Sequence, residues 1–342
     1  MRVSAKLRWS AGFLAGVHLL VIFAGFFAPY DYSTQDRMHP YAPPARIHLV
    51  DCSGKLHLRP FVYALKDAPG GFGSYAEDCS QPLPLRLFVR GDEYYLFGAF
   101  HATLHLFGVD PPARAYLLGG DAFGRDQLSR LLYGGQISLF AGLLAAALAL
   151  IAALLVGAVA GLYGGLVDDV LMRMAEVAIA VPSFYLLLSV RSFLPLRTGA
   201  VTAFVLVVCV IGFLSWARPA RLVRGVVLSG RERNFVLAAR GFGASRVYLL
   251  RRHLMPMTWR VVITQMAVLV PQFILAEVVL SFLGLGIGEP FPSWGNMLAY
   301  AQQYHILVSY GWMLLPGVVL LPVILAYHLL ADALQERLQL TT

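Results

Sequence analysis

The hydrophobic pattern of the chain is dominated by long apolar runs that polar intervals separate. A helix needs about 20 consecutive apolar residues to cross a bilayer, because each residue adds about 1.5 Å along the helix axis. Six runs approach or exceed this length, at residues 9–28, 137–162, 168–194, 200–216, 259–285 and 305–330. The pattern therefore predicts an all-α integral membrane protein with six transmembrane helices.

The first run follows Arg2, Lys6 and Arg8, which is also the charge pattern of a signal peptide. However, the run is longer than the core of a typical signal peptide, and no clear small-x-small cleavage site follows it. We therefore interpret residues 1–29 as a cytoplasmic N-terminus and a first transmembrane helix that ends near Pro29.

The interval 30–116 has a different pattern, in which apolar and polar residues alternate. This alternation predicts short strands with one buried face. The predicted strands cover residues 46–50, 55–59, 85–90 and 94–97. We interpret the interval as a small β-rich insert outside the membrane, between the first two transmembrane helices.

Cys52 and Cys79 lie within this insert. A disulfide is expected there, since a domain of this size buries little core of its own; two unpaired thiols are the alternative.

Four histidines also lie in this interval: His48, His57, His101 and His105. The last two are four residues apart, so they can share one face of a helix or a strand. No cysteine or carboxylate stands at a convincing metal-ligand spacing from them. Solvated or edge-strand histidines are therefore the preferred interpretation, and no metal site is predicted.

Composition and charge fit a membrane protein rather than a nucleic-acid-binding one. The chain is 58% hydrophobic and 13% charged, with a net charge of +8. Its arginines concentrate in short intervals beside apolar runs, where positive charge marks the cytoplasmic side. Ten arginines lie between Arg218 and Arg260 against one acid, Glu232. This imbalance predicts that the loop at about residues 218–258 lies in the cytoplasm. With six transmembrane helices, both termini of the chain are then expected in the cytoplasm as well.

That loop also has the pattern of a helix–turn–helix. Ser229 and Glu232 have the spacing of a capping box and predict a helix start. Phe235, Ala238, Ala239 and Phe242 then form one apolar face. Gly241 and Gly243 can end this helix, Ser245 can cap a second, and Pro256 is expected to interrupt the second.

The same segment resembles the EAA loop of ABC importer permeases. Ala238, Ala239, Gly243 and Pro256 fall on that pattern at the right spacing, whereas Leu237 replaces its usual Glu and Met255 its usual Leu. The resemblance implies a coupling helix that docks in a cleft of an ATPase subunit. The residues assigned to coupling are Asn234, Phe235, Ala238, Ala239, Arg240, Gly241, Gly243, Ala244 and Pro256. A basic loop that only sets topology is the alternative.

Residues 118–135 are similar to the segment before the second helix in C-type permeases of dipeptide and oligopeptide importers. Asp121, Gly124, Arg125 and Asp126 match that motif, which the resemblance places on the extracytoplasmic side. An interfacial amphipathic helix is the purely physical interpretation of this segment, and both can hold.

Residues 277–286 resemble a further signature of the same family and begin with Glu277. A carboxylate inside a transmembrane helix is costly and marks a candidate functional site. Two roles for Glu277 stay open, an interhelical hydrogen bond and a place in the translocation path.

Together these resemblances imply that residues 117–342 form the transmembrane domain of a type I ABC importer, with helices 2–6 and the coupling loop. The implied partners are a second homologous permease, two ABC ATPase subunits, a soluble or lipid-anchored substrate-binding protein and the lipid bilayer, with no nucleic acid. The chain has no phosphate-binding loop, so ATP and magnesium are expected on the ATPase subunits, and the chain is not an enzyme.

The implied location is the inner membrane of a bacterium, and the implied cargo is a peptide, with nickel as the alternative. A secondary transporter without ATPase partners is the other alternative. It predicts charged residues at mid-membrane and repeats of broken helices, and only Glu277 favours it. A membrane-embedded hydrolase is disfavoured because no nucleophile–base pair is recognisable.

Overall fold

The computed structural model describes residues 5–69, 73–96, 98–182, 185, 188–189 and 199–339. Its helices are α1 (Ala5–Ile22), α2 (Ala24–Phe27), α3 (Gln127–Tyr163), α4 (Gly165–Ala180), α5 (Ala200–Leu214), α6 (Ala217–Arg231), α7 (Asn234–Gly241), α8 (Arg246–Leu249), α9 (Met255–Phe282), α10 (Trp294–Ala299), α11 (Tyr304–Ser309) and α12 (Leu315–Gln339). A π-helical turn covers Leu250–Leu254, and 3₁₀ turns cover Tyr300–Gln302 and Gly311–Leu314. The strands are β1 (His48–Val50), β2 (Leu56–Asp67), β3 (Tyr75–Pro84), β4 (Arg86–Leu96) and β5 (Phe100–Gly108).

Within the described residues, four helical segments are long and apolar enough to cross a membrane: Ala5–Ile22, Gln127–Tyr163, Arg246–Phe282 and Gly311–Arg337. A fifth is possible if Val201–Leu214 and Ala217–Arg231, which meet at 46°, form one bent span. The protein is therefore a helical membrane protein with four or five candidate spans. The predicted third span, 168–194, begins in α4 and then runs outside the described residues, so the count of six stays a prediction.

The chain divides into two compact units. One contains Met1–Leu14, Leu139–Val279 and Pro322–Thr342, and the other contains Ala15–Ser138 and Leu280–Leu321. In the part of the chain that the structure describes, the five strands lie in the second unit and most of the first unit is helical.

In the first unit, α6 packs closely on α3. Gly157 and Gly161 lie at this contact, where an added Cβ would collide with the carbonyl oxygen of Ala220 and with the Val227 side chain. These two glycines, four residues apart, therefore allow the two helices to pack closely. Arg224 pairs with Asp168 at the start of α4, and two nitrogen–oxygen contacts join them. These contacts fix α6 against two neighbouring helices.

In the second unit, β1, β2 and β3 form an antiparallel sheet in that order, and β4 and β5 form a separate antiparallel hairpin. The strands predicted at 46–50, 55–59 and 85–90 coincide with β1, the start of β2 and the start of β4. The last predicted strand, 94–97, falls at the end of β4 except for residue 97, which lies outside the described residues. Sulfur atoms of Cys52 and Cys79 are bonded, with their Cα atoms 6.0 Å apart.

The hairpin is fastened to α2 by two side chains. The Tyr94 ring packs on Gly25, where a Cβ would collide with it. His105 is buried, with Nδ1 2.5 Å from the carbonyl oxygen of Ala28 and Nε2 2.9 Å from that of Asp92. His105 is therefore a structural link between the end of the first helical segment and the hairpin.

Three other histidines of the β-rich insert pair with carboxylates: His48 with Glu77, His57 with Asp51 and His101 with Glu93. Among the residues that the structure describes, no group of three or more histidine, cysteine or acidic side chains is arranged to hold a metal ion.

Candidate functional site

The segment that follows α6 and contains α7 and α8 forms a knob. We call it the coupling knob and define it as residues 232–249. Val236 is its buried anchor and packs with Val223, Val227 and Leu254 in the core of the first unit. The outward side carries Phe235, Leu237 and Phe242, of which Phe242 is 94% exposed. These three exposed apolar side chains on one short segment make the knob a candidate contact site for another molecule.

The predicted start of the knob is wrong. Ser229 lies inside α6, where its hydroxyl donates to the carbonyl oxygen of Val226, and α7 begins only at Asn234. The packing of Val223 and Val227 against α3 extends α6 to Arg231, so the capping-box spacing of Ser229 and Glu232 is not used.

The structure contains the turn that the sequence predicts at Gly243, at the tip of the coupling knob. Gly243 has φ of +87°. Its backbone N–H donates to the carbonyl oxygen of Arg240 (3.0 Å), and the N–H of Ala244 donates to that of Ala239 (3.1 Å). This pair of bonds is a Schellman motif, which requires a left-handed residue after the helix. Ser245 then caps α8 by accepting from the N–H of Tyr248 at 3.2 Å, as its position predicts.

Pro256 does not interrupt the second helix. The π-helical turn Leu250–Leu254 lies before it, and Met255 opens α9, so helical structure continues from Arg246 to Phe282. The wider turn accommodates a residue that cannot donate a backbone hydrogen bond. The candidate span Arg246–Phe282 thus begins 13 residues before residue 259, where the sequence predicts its start.

Of the residues assigned to coupling, Phe235, Ala238, Arg240, Gly241 and Gly243 are exposed on the knob. Ala239 and Ala244 are half-buried against the core that Val236 anchors, so they hold the knob in place rather than form its outer surface. Asn234 is exposed at the start of α7.

A second feature lies in the second unit, where four charged side chains form an ion-pair cluster. Its members are Asp121, Arg125, Arg130 and Glu289. Arg125 Nε lies 2.6 Å from Asp121 Oδ2, and Arg125 Nη1 lies 2.5 Å from Glu289 Oε2. Arg130 Nη2 lies 2.9 Å from Glu289 Oε1. Both arginines and Asp121 are buried, so each charge depends on the others for compensation.

Glu289 joins the two arginines and also accepts a hydrogen bond from the Tyr300 hydroxyl at 3.0 Å. Burial alone would raise the pKa of its carboxyl group, but Arg130 and Arg125 outweigh that effect and hold the pKa below its usual value. The sequence motif of residues 118–135 predicted a site at Asp121, Gly124, Arg125 and Asp126. It gave no sign of Glu289, which lies more than 150 residues later.

Within the motif, Gly124 has φ of +67°, and a Cβ there would collide with the backbone of Asp36. Asp121 accepts hydrogen bonds from the N–H groups of Phe123 and Arg125. The matched residues thus form one tight turn that aims Arg125 at both of its carboxylates.

Asp126 is fully buried, and its burial raises the pKa of its carboxyl group to about 6, although hydrogen bonds from Ser129 oppose the rise. An acid whose pKa is higher in the folded state stabilises the fold while it is protonated. That contribution is complete below the unfolded value of 3.8 and is lost as pH rises through about 6.

We therefore expect Asp126→Asn, which resembles the protonated acid, to stabilise the protein at pH 7.5 by about 2 kcal/mol and to change little at pH 4. Thermal unfolding in detergent at the two pH values measures this. Asp110→Asn is the matched control, because Asp110 is an exposed acid in a surface ion pair and should give at most about 0.5 kcal/mol. A lower stability of Asp126→Asn at pH 7.5 would contradict the expectation.

The first unit also contains a cleft of about 360 Å³. Its polar lining comes from Gln265 and Gln272 on α9 and from Ser215 and Arg218 near the bend between α5 and α6. Glu277, the predicted translocation-path candidate, is buried and is not among the residues that line this cleft. The periodicity of α9 could have identified the two glutamines, since they lie seven residues apart on one helix face.

Comparison with known proteins identifies two family models that match this chain. The family model described as binding-protein-dependent transport system inner membrane component matches residues 153–340. The one described as the N-terminal TM domain of oligopeptide transport permease C matches residues 8–44. Neither match covers any of the strands β1 to β5, and most of the β-rich insert lies between the two matched ranges.

Three relatives illustrate the similarity. The chain is 37% identical over 229 residues to the dipeptide transport system permease protein DppC of Bacillus subtilis (strain 168), covering 67% of this chain and 69% of the relative. It is 32% identical over 240 residues to the oligopeptide transport system permease protein OppC of the same strain, covering 70% and 76%. It is 32% identical over 225 residues to DppC of Haemophilus influenzae, covering 66% and 74%.

Proposed function

This chain belongs to the family of binding-protein-dependent transport system inner membrane components, and on that basis we propose that it imports dipeptides or oligopeptides as one permease subunit of an ATP-driven transporter. The family consists of transport subunits, so the chain is a permease and not an enzyme. The structural observation that carries the ATP-driven part of the proposal is the coupling knob, which presents exposed apolar residues on α7, the helix that ends in the turn at Gly243.

In this proposal the knob docks on an ATPase subunit, which binds ATP and magnesium. The importer contains a second homologous permease, two ATPase subunits and a soluble or lipid-anchored binding protein that delivers the peptide. Alternating binding and release of nucleotide would then shift the permease between two packings, because only a ligand with different affinities for two states can move their balance.

We further propose that the chain has six transmembrane helices with both termini in the cytoplasm of a bacterium. Residues 1–29 hold the first helix, residues 30–116 form the extracytoplasmic β-rich insert, and residues 117–342 form the transmembrane domain with its coupling loop at about 218–258. The disulfide between Cys52 and Cys79 supports the placement of the insert, since disulfides persist in oxidising compartments.

Uptake by proteoliposomes tests this function. The reconstituted importer should accumulate a labelled dipeptide or tetrapeptide only with ATP inside and the binding protein outside. Nickel uptake in the same vesicles identifies the metal alternative. Accumulation that needs an ion gradient but no ATPase subunit would identify a secondary transporter instead.

For the peptide path we propose the cleft that Gln265 and Gln272 line, because each amide offers both a donor and an acceptor to a peptide backbone. Arg218 at the same cleft can attract a peptide carboxylate. Glu277 lies outside this lining, which favours the structural one of its two roles.

We therefore expect Glu277→Gln to keep most peptide uptake, since the amide retains hydrogen bonding while losing the charge. Gln272→Leu is the matched comparison on the same helix and should lower uptake, because it removes a polar group from the cleft. Labelled-peptide uptake at equal expression measures both. Loss of transport in Glu277→Gln would instead assign a role to the charge.

A further inference from the structure

Phe88 in strand β4 has an unusual backbone conformation. Its φ is +56°, in the left-handed region that bulky residues rarely adopt. The antiparallel pairing of Leu87 with Phe107 and of Val89 with His105 continues on both sides of it without a register shift. Strand pairing therefore does not explain the left-handed conformation of Phe88. The consequence of that conformation is the position in which it places the Phe88 ring.

The ring is placed beside the end of the first helical segment. The Phe88 ring centroid lies 6.4 Å from that of Phe26 in α2. Tyr94 and His105 fasten the hairpin to the same short helix, through Gly25 and Ala28, so this placement is fixed. Despite that neighbour, Phe88 remains 61% exposed, and the adjacent Leu87 is more exposed still.

The surface around Phe88 continues the outer surface of a candidate membrane span. Leu19, Leu20 and Phe23 are exposed on α1 and at its junction with α2, and α1 is one of the segments apolar enough to cross a bilayer. Phe26 and Phe88 extend this apolar strip beyond the end of the helix. Apolar and aromatic side chains at such a position enter the boundary between headgroups and acyl chains.

We propose that Phe88, with Leu87 beside it, is a lipid contact of the β4–β5 hairpin, which inserts into the membrane interface next to the end of the first span. The occupant of this surface is the bilayer, because the strip is continuous with a membrane-spanning surface. The β4–β5 hairpin is thereby attached to the membrane surface, in addition to the chain connections at residues 29 and 117 that join the insert to the flanking segments.

Spin-label accessibility tests the proposal on the full chain in lipid nanodiscs, with the partner subunits that purify with it. A Cys209→Ala background leaves the Cys52–Cys79 disulfide and allows one new label at a time. The label is placed through Phe88→Cys, and through Leu58→Cys as the matched control, since Leu58 is 100% exposed on β2. Collisions with oxygen report lipid, and collisions with a water-soluble nickel chelate report water.

We expect oxygen collisions to exceed nickel-chelate collisions at position 88 and the reverse at position 58. Equal access of the nickel chelate to both positions would overturn the proposal. Exclusion of both reagents from position 88 would overturn it too, because a protein partner would then cover the ring.

A second pair of variants tests whether the ring anchors the hairpin. With the label at Leu87→Cys, Phe88→Trp should keep the preference for oxygen, whereas Phe88→Asn should reduce it, since asparagine tolerates the left-handed backbone but lacks the apolar ring. Identical collision rates in the two variants would show that Phe88 does not hold the hairpin at the membrane.

Discussion

Gly243→Val is expected to abolish the substrate-stimulated ATP hydrolysis of the assembled importer and to weaken capture of its ATPase subunits. Gly243 adopts φ of +87° at the tip of the coupling knob. Valine in this conformation is strained by about 1–2 kcal/mol or more, because its Cβ and branched methyl groups crowd the backbone. The Schellman motif that sets the direction of α8 would therefore be distorted.

The free chain should tolerate the change, which makes the defect specific to docking. A Cβ at Gly243 meets no described atom within 4 Å, and the knob is anchored elsewhere, through Val236 and Leu254. Membrane insertion and expression are thus expected to stay normal. The added side chain would instead project into the surface that contacts the partner.

Two matched variants separate strain from bulk. Gly243→Asn keeps a residue that tolerates the left-handed conformation, so it should retain more ATP hydrolysis than Gly243→Val. Gly225→Val places the same side chain on α6, where a Cβ also meets open space but no left-handed backbone is required. Gly225→Val should leave the substrate-stimulated ATP hydrolysis near the wild-type rate.

Ala238→Asp, which puts a charge on the exposed face of α7, should lower ATP hydrolysis as Gly243→Val does. Wild-type ATP turnover in an assembled Gly243→Val complex would contradict the assignment.

Arg125→Met should cause the largest loss of stability, about 3–5 kcal/mol, because it leaves buried carboxylate charge without its main partner. Arg125 contacts Asp121 and Glu289 at once, and Arg130 reaches Asp121 only at 3.5 Å. The substitution keeps most of the side-chain volume, so the loss reflects charge rather than a cavity. Thermal unfolding in detergent measures it.

Arg125→Lys should be more stable than Arg125→Met but less stable than the wild type. One ammonium group cannot replace the contacts that the Arg125 guanidinium makes with both Asp121 and Glu289. Adding Glu289→Gln to Arg125→Met should restore some stability, because the uncompensated charge is then reduced. A double variant as unstable as the sum of the two single variants would show that the pair does not interact.

The sequence was informative where a local determinant meets no competing interaction. The turn at Gly243 and the cap at Ser245 are set by residue types within one short segment, and both were predictable. The ion-pair cluster was predictable only in part, because Glu289 approaches Arg125 through tertiary folding and no spacing rule connects them.

Competing interactions explain two of the other differences. The capping signal at Ser229 was overridden by the packing of α6 against α3, which keeps Ser229 inside the helix. Pro256 was expected to interrupt a helix, yet a π-helical turn before it allows the helix to continue. Strand β3 escaped prediction because it is polar and contains Pro82 and Pro84, which an edge strand tolerates.

Affinity purification of the tagged chain from membranes, in wild-type and Gly243→Val forms, tests the central claim most directly. The account predicts that the wild-type chain brings down a second permease and ATPase subunits whose ATP hydrolysis rises when peptide-loaded binding protein is added. It also predicts that the Gly243→Val chain retains the second permease but loses the ATPase subunits or their stimulation. A wild-type chain that purifies without any ATPase and still transports peptide would contradict the account.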